Sequence, residues 1–267
     1  MAIANIGGVN LNYEDRGKGL PVLLAHGYTG SIEDWAMIIP PLAEKYRVMA
    51  IDHRGHGNSE APSSQEHYSV CIFAEDLSAL LQRLNAAPAV IVGHSMGGFM
   101  ALQLALDHPD AVKALVLVDT SSGEFQRPPG FAELRAELAE IARTQGLEAA
   151  FEHNARHNPW MRERFEKHPQ LREISRKKTL RTSVDGYVCA ARAIDVWQPL
   201  TSRLPEIKVP TLIVVGEEDL PFMEPSRIMD RGIPGAKLIT VPNSGHSPHE
   251  ENPDFLKNEL LRFLATL

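Results

Sequence analysis

The stretch Ala89-Val90-Ile91-Val92-Gly93-His94-Ser95-Met96-Gly97-Gly98 decides how this chain is read. Residues 89–92 are a short, wholly apolar run, as expected of a strand buried on both faces. G-x-S-x-G follows, and a helical pattern then runs to about residue 106. A strand that turns directly into a helix through a single serine holds that serine in strained backbone. Residues two before and two after it must be small, and they are Gly93 and Gly97. Such a turn exposes the Ser95 hydroxyl and brings the Met96 N–H to a helix N-terminus, where developing negative charge is favoured. Gly98 lets the new helix lie close to the sheet.

On either side, apolar runs at 22–25, 48–51, 115–118, 211–215 and 238–241 alternate with helical stretches at 32–44, 72–84 and 252–267. Ala2–Ile6 and residues 11–14 flank Gly7-Gly8 and suit an initial antiparallel pair. This is the pattern of an α/β protein with a doubly wound, mostly parallel sheet. From about residue 124 to 198 the rhythm breaks. Phe131–Gln145, Leu147–His157, 162–167 and Val184–Val196 read as helices, punctuated by Pro128-Pro129, Pro159, Pro169 and Pro199. The expected organisation is a core of residues 1–122 and 199–267, interrupted by a helical cap at 123–198.

Composition narrows the function classes. With 27 basic and 34 acidic residues the formal net charge is −7, which argues against nucleic acid as a partner, because neutralising phosphates needs a basic surface. No apolar run approaches the roughly 18 residues that span a bilayer. Residues 1–12 have neither the basic start nor the apolar stretch of a signal peptide. Two distant cysteines, Cys71 and Cys189, form no motif. A cytoplasmic protein without a membrane partner is expected.

A serine hydroxyl is a weak nucleophile until a base takes its proton. Of 11 histidines, His246 lies just after the last apolar run, where loops gather at the carboxyl edge of the sheet and ligands bind. Its ordinary pKa, about 6.5, suits the task. A buried carboxylate must hold the imidazole in the right tautomer. Val214-Val215-Gly216-Glu217-Glu218-Asp219 ends the penultimate strand, and Asp219 is chosen because the glycine turn returns it over the sheet edge. Glu217, Glu218 and Asp119 remain alternatives. A second oxyanion donor is expected from His26-Gly27-Tyr28, the Tyr28 N–H facing that of Met96. Phe125, Trp160, Tyr187, Trp197, Phe222 and Met223 are candidates to line a substrate pocket.

Taken in order, His26-Gly27-Tyr28, the Asp52–Ser59 stretch DHRGHGNS, Gly93–Gly98, Gly216-Glu217-Glu218-Asp219 and Gly245-His246 resemble the α/β-hydrolase superfamily. The style is that of its small capped esterases, enol-lactonases and C–C bond hydrolases. This resemblance implies eight strands, a lid inserted after the sixth, and a structural role for residues 52–59. A serine nucleophile rather than aspartate departs from the epoxide hydrolases and haloalkane dehalogenases of this fold. The Gly-rich, asparagine-bearing oxyanion loop of many C–C hydrolases is missing, as is the lipase HGGG. Hydrolysis of a small-molecule carboxylic ester through an acyl-enzyme is the leading expectation. Enol-lactone or C–C cleavage by the same triad, and a ligand receptor of this fold, are the alternatives.

Other patterns carry less. His153 and His157 have the spacing of a zinc pair, but Asn154 stands where a zincin has glutamate, and no third ligand is apparent. No P-loop or G-x-G-x-x-G occurs, so neither metal nor cofactor is expected. The run Arg176-Lys177-Lys178 and Arg181 is read as a solvated helix face.

Overall fold

The computed structural model describes residues 1–123, 125 and 127–267. Eight strands, β1 (Ala2–Ile6), β2 (Val9–Arg16), β3 (Pro21–Ala25), β4 (Arg47–Ile51), β5 (Ala89–His94), β6 (Val112–Val118), β7 (Thr211–Gly216) and β8 (Lys237–Val241), form one sheet in the order β1-β2-β4-β3-β5-β6-β7-β8. The first two pair antiparallel, β2 joins β4 antiparallel, and the remaining neighbours are parallel. This is the α/β-hydrolase architecture.

The apolar runs are continuous because both faces are covered. Val22, Leu24, Val48, Ala50, Val90 and Val92 pack on one side with Trp35, Ile38 and Leu256. Leu23, Ala25, Met49, Ile51 and Ile91 pack on the other with Phe73, Leu77 and Met100. Strand alternation thus sends successive side chains into two separate cores.

Eleven α-helices follow in chain order among the described residues. Those of the core are α1 (Ile39–Ala43), α2 (Val70–Arg83), α3 (Met96–Asp107), α9 (Leu220–Gly232), α10 (Pro248–Glu251) and α11 (Pro253–Leu264). Between β6 and β7 lie α4 (Phe131–Gln145), α5 (Leu147–His157), α6 (Pro159–Lys167), α7 (Gln170–Leu180) and α8 (Val184–Val196). Of these, α4, α5 and α8 share a small core of Leu134, Leu138, Ala142, Ala150, Tyr187 and Val188, against which Tyr28 also packs.

Three differences from the expected elements have local causes. The single helix expected at 32–44 is a 3-10 turn, Ile32–Trp35, followed by the short α1. Pro40 and Pro41 lack N–H groups and cannot continue a helix already begun, so a new one starts around them. The expected helix at 162–167 begins earlier, with Pro159 in its first turn and the Asn158 side chain accepting from the Trp160 N–H (3.1 Å). The helix α7 was not anticipated, because only Leu171 and Thr179 of it are buried. Among the described residues no helix is long and apolar enough to cross a membrane.

Candidate active site

Ser95 sits at the tip of the β5–α3 turn with φ 51° and ψ −115°. This strained conformation persists because its surroundings over-determine it. The Ser95 N–H donates to the Val118 carbonyl at 2.9 Å, and the Thr120 hydroxyl donates to the Ser95 carbonyl at 2.7 Å. A side chain at Gly93 would run into the Gly97 backbone, and one at Gly97 into the Ala25 carbonyl. That is why the flanking residues are glycine.

The structure brings Ser95, His246 and Asp219 together from three separate strand ends. The Ser95 Oγ lies 3.0 Å from His246 Nε2, and His246 Nδ1 lies 2.7 Å from an Asp219 carboxylate oxygen. Asp219 is buried while His246 is about 29% exposed, so the pair opens toward the cavity. With the Nδ1–H donated to Asp219, Nε2 is left to accept the serine proton. Glu217 instead accepts the Asn243 N–H (3.1 Å), and Glu218 meets His168 (3.0 Å). Asp119, at a positive φ of 44°, accepts the Gly216 N–H at 2.8 Å. Burial, then the charge of adjacent Asp219, raises its pKa well above the usual carboxylate range.

The histidine loop is held by groups that sequence reasoning passed over. Glu251 accepts the Gly245 N–H and the Ser247 N–H, each at 2.9 Å, gripping the backbone on both sides of His246. Arg164, from α6, closes on the same carboxylate. His94 donates from Nε2 to the His246 carbonyl at 2.6 Å; burial, then nearby His249 and His246, lower its pKa and keep it neutral. In the sequence, the sign of this clamp is a glutamate five residues beyond the histidine. Among the described residues, neither the Met96 nor the Tyr28 N–H donates to a protein acceptor.

The His26-Gly27-Tyr28 turn is braced from below. His26 donates from Nδ1 to the Gly27 carbonyl (2.8 Å) and accepts the His53 N–H at Nε2 (3.1 Å). Asp52 accepts from the Ile32 N–H, the Asn58 N–H and the Asn12 amide.

A cavity of about 870 Å³ opens over Ser95, bordered by the β-sheet edge and the inserted helices. Of the expected lining residues, Phe125, Trp160, Tyr187 and Phe222 border it. Trp197 does not. It is half-buried, stacks on Phe99 from behind (4.7 Å) and donates its indole N–H to Gln103 (3.0 Å). Met223, half-buried on α9, does not border the cavity either; its helix neighbours Phe222 and Pro225 do.

The basic run of α7 is only partly a solvated face. Arg176 pairs with Glu148 at 2.7 Å on the surface, but Lys178 is half-buried, its ammonium held between Asp34 (3.0 Å) and Glu250 (3.2 Å). Such partners offset the cost of drawing an ammonium out of water. His153 lies beside Glu137 at 3.1 Å, and its ring meets that of His157.

A model of the alpha/beta hydrolase fold family matches residues 21–253. The chain belongs to the α/β-hydrolase family. Its sequence is 30% identical over 252 residues to a putative 2-succinyl-6-hydroxy-2,4-cyclohexadiene-1-carboxylate synthase of Bacillus subtilis, covering 92% of this chain and 90% of that one. Among solved structures it is similar to the enol-lactonase of Burkholderia xenovorans LB400, with a TM-score of 0.85, 27% identity, and coverage of 99% and 100% of the two chains. A thermophilic esterase from Thermogutta terrifontis gives a TM-score of 0.85 at 29% identity, covering 97% of this α/β-hydrolase and 94% of that chain. This α/β-hydrolase is therefore a hydrolase of that fold.

Proposed function

We propose that this α/β-hydrolase cleaves carboxylic esters through an acyl-enzyme, with Ser95 as nucleophile, His246 as base and Asp219 orienting the histidine. One observation carries the reading: the continuous hydrogen-bonded line from Ser95 Oγ through His246 to Asp219, at 3.0 and 2.7 Å, facing the cavity. His246 Nε2 takes the hydroxyl proton as Oγ attacks the carbonyl carbon. The carbonyl π electrons move onto oxygen, where the Tyr28 and Met96 amides stabilise the anion. Collapse breaks the bond to the alkoxide, which leaves with the proton from His246. Water then repeats the sequence on the acyl-serine, releasing the carboxylic acid and restoring the hydroxyl. The inserted helices act as a cap that shields the acyl-enzyme and shapes the pocket.

A second reading, supported by the likeness to the enol-lactonase, keeps every step but leaves alcohol and acid in one molecule, so that a lactone ring opens. A panel of nitrophenyl esters of graded length beside an enol-lactone separates the two. In either case Ser95→Ala is expected to lower kcat by a factor on the order of 10³ or more. Near-normal turnover by that variant sinks the triad assignment.

A further inference from the structure

Charges around the cavity wall pair off almost everywhere. Arg164 meets Glu251, Lys178 meets Asp34 and Glu250, His168 meets Glu218, Lys167 meets Glu163, and Glu224 meets Arg231. Lys178 stands against two carboxylates, an excess of negative charge, and in one place among the described residues the excess is positive. Among the described residues, Arg127 and Arg135 share a single carboxylate, Asp195 of α8, at 2.9 and 3.9 Å. The Nε of Arg135 is buried with no hydrogen-bond acceptor among the described residues. Two guanidiniums against one carboxylate leave an excess positive charge among the described residues, beside a cavity that both arginines border.

Their position relative to Ser95 follows from the rings between. On one side His246 packs against Phe222 (4.8 Å), Phe222 against Phe125 (4.9 Å), and Phe125 against the Arg127 guanidinium (5.0 Å). On the other, Arg135 lies 5.0 Å from the Tyr28 ring, whose own backbone N–H is the candidate oxyanion donor. Both guanidiniums also touch Phe131, at 5.6 and 5.3 Å. The rings make an apolar collar running from the triad to the two arginines. Ring faces hold a guanidinium in place without consuming its N–H donors. Those donors, in a planar fork, match a carboxylate in bidentate fashion.

We infer that Arg127 and Arg135 form an anion subsite, and that the substrate is an ester or lactone bearing a carboxylate remote from the scissile carbonyl. The substrate class rests on the hydrolase reading above; the anion site itself does not. A carboxylate docked there neutralises the excess charge, while the apolar segment between lies along the collar and delivers the carbonyl to Ser95.

Two series of paired substrates test this. Aryl monoesters of succinic, glutaric and adipic acid, each beside its methyl-capped neutral twin, carry the charge on the acyl side. Acetate esters of 3- and 4-hydroxybenzoate beside phenyl acetate carry it on the leaving side. In at least one series the carboxylate is expected to lower KM tenfold or more relative to the neutral twin. Arg135→Met, and separately Arg127→Met, bring that ratio toward one. Equal kcat/KM for charged and neutral twins in both series overturns the subsite, and requires no variant to fold. Calorimetric binding of monomethyl glutarate to Ser95→Ala, weakened at least tenfold when Arg135→Met is added, reads the site without turnover. Binding of that kind with no Ser95-dependent hydrolysis sinks the hydrolase reading and keeps the subsite. Ser95-dependent hydrolysis with no carboxylate preference does the reverse.

Discussion

Two carboxylates meet behind His246, and they hold different partners. Asp219 faces the imidazole at 2.7 Å, whereas Asp119 is wholly buried, with one oxygen on the Gly216 N–H and the other without a hydrogen-bond partner among the described residues. Two buried carboxylates in contact cannot both ionise cheaply, and the raised pKa of Asp119 marks it as the one that keeps the proton. Its role is then to hold the Gly216 backbone, and with it the start of the loop carrying Asp219. Asp119→Asn, which mimics the neutral acid, is expected to retain most activity. Asp119→Ala strands the Gly216 N–H and costs about 1–3 kcal/mol of stability, read as a shift in denaturant midpoint. Asp219→Asn, which favours the wrong tautomer, is expected to cut kcat by about 10⁴. If Asp119→Asn proves the more damaging of the two, the assignments are reversed. Ser95, Asp219 and His246 were legible in the sequence because each stands in a strand-end context that its immediate neighbours announce. Asp119 was legible only as an alternative, because its meaning depends on a carboxylate a hundred positions away.

The elements that carry the site are tied together by α10, a single helical turn that periodicity alone does not reveal. Its Glu251 grips the amides on both sides of His246, and Arg164 of α6 grips Glu251. Lys178 of α7 reaches Glu250 of the same turn. Thus the inserted helices hold the histidine loop through ion pairs rather than through a shared apolar face. Glu251→Ala frees two backbone donors and lets the imidazole drift. A displacement near 1 Å can cost on the order of 10² in rate, so kcat is expected to fall by about that factor while KM moves little. Glu251→Gln, which retains one amide acceptor, should recover part of the loss. A change confined to KM contradicts the role. The same reliance on ion pairs explains why α7 escaped sequence reading. Its contacts with the rest of the molecule are made chiefly by Arg172, Arg176, Lys178 and Arg181, and charged anchors leave no apolar stripe to recognise. The parallel strands were legible for the converse reason: burial on both faces leaves an unbroken apolar run.

Over the whole molecule, five buried histidines make the fold sensitive to acid. Burial lowers the pKa of His53 to about 3 and of His56 to about 4. Burial, then their histidine and lysine neighbours, push His26, His94 and His249 well below 6.5. In the unfolded chain all five take up protons as pH falls through 6.5, while in the fold they stay neutral until their own lower pKa. Folding therefore excludes protons in this window, and stability is full above about pH 6.5 and lost as pH falls below it. Each contributes a slope of about 1.4 kcal/mol per pH unit. Three buried carboxylates act in the opposite sense. Burial raises Asp34 to about 6 despite the Lys178 ammonium, and raises Asp76 and Asp119 as well. These hold protons in the fold that the unfolded chain has lost above about pH 4. The five histidines outnumber the three carboxylates, so a net loss of stability is expected as pH falls from about 6 to 4.5, which a melting series by calorimetry resolves. His249 is the most exposing test of the cause, since both ring nitrogens lack a partner among the described residues and the ring lies between Trp35 and His94. Replacing it by Phe removes one titrating group without removing a hydrogen bond. His249→Phe is expected to melt at a higher temperature relative to wild type at pH 5 than at pH 7.5. An equal difference at both pH values means that packing, not protonation of buried imidazoles, sets the acid limit.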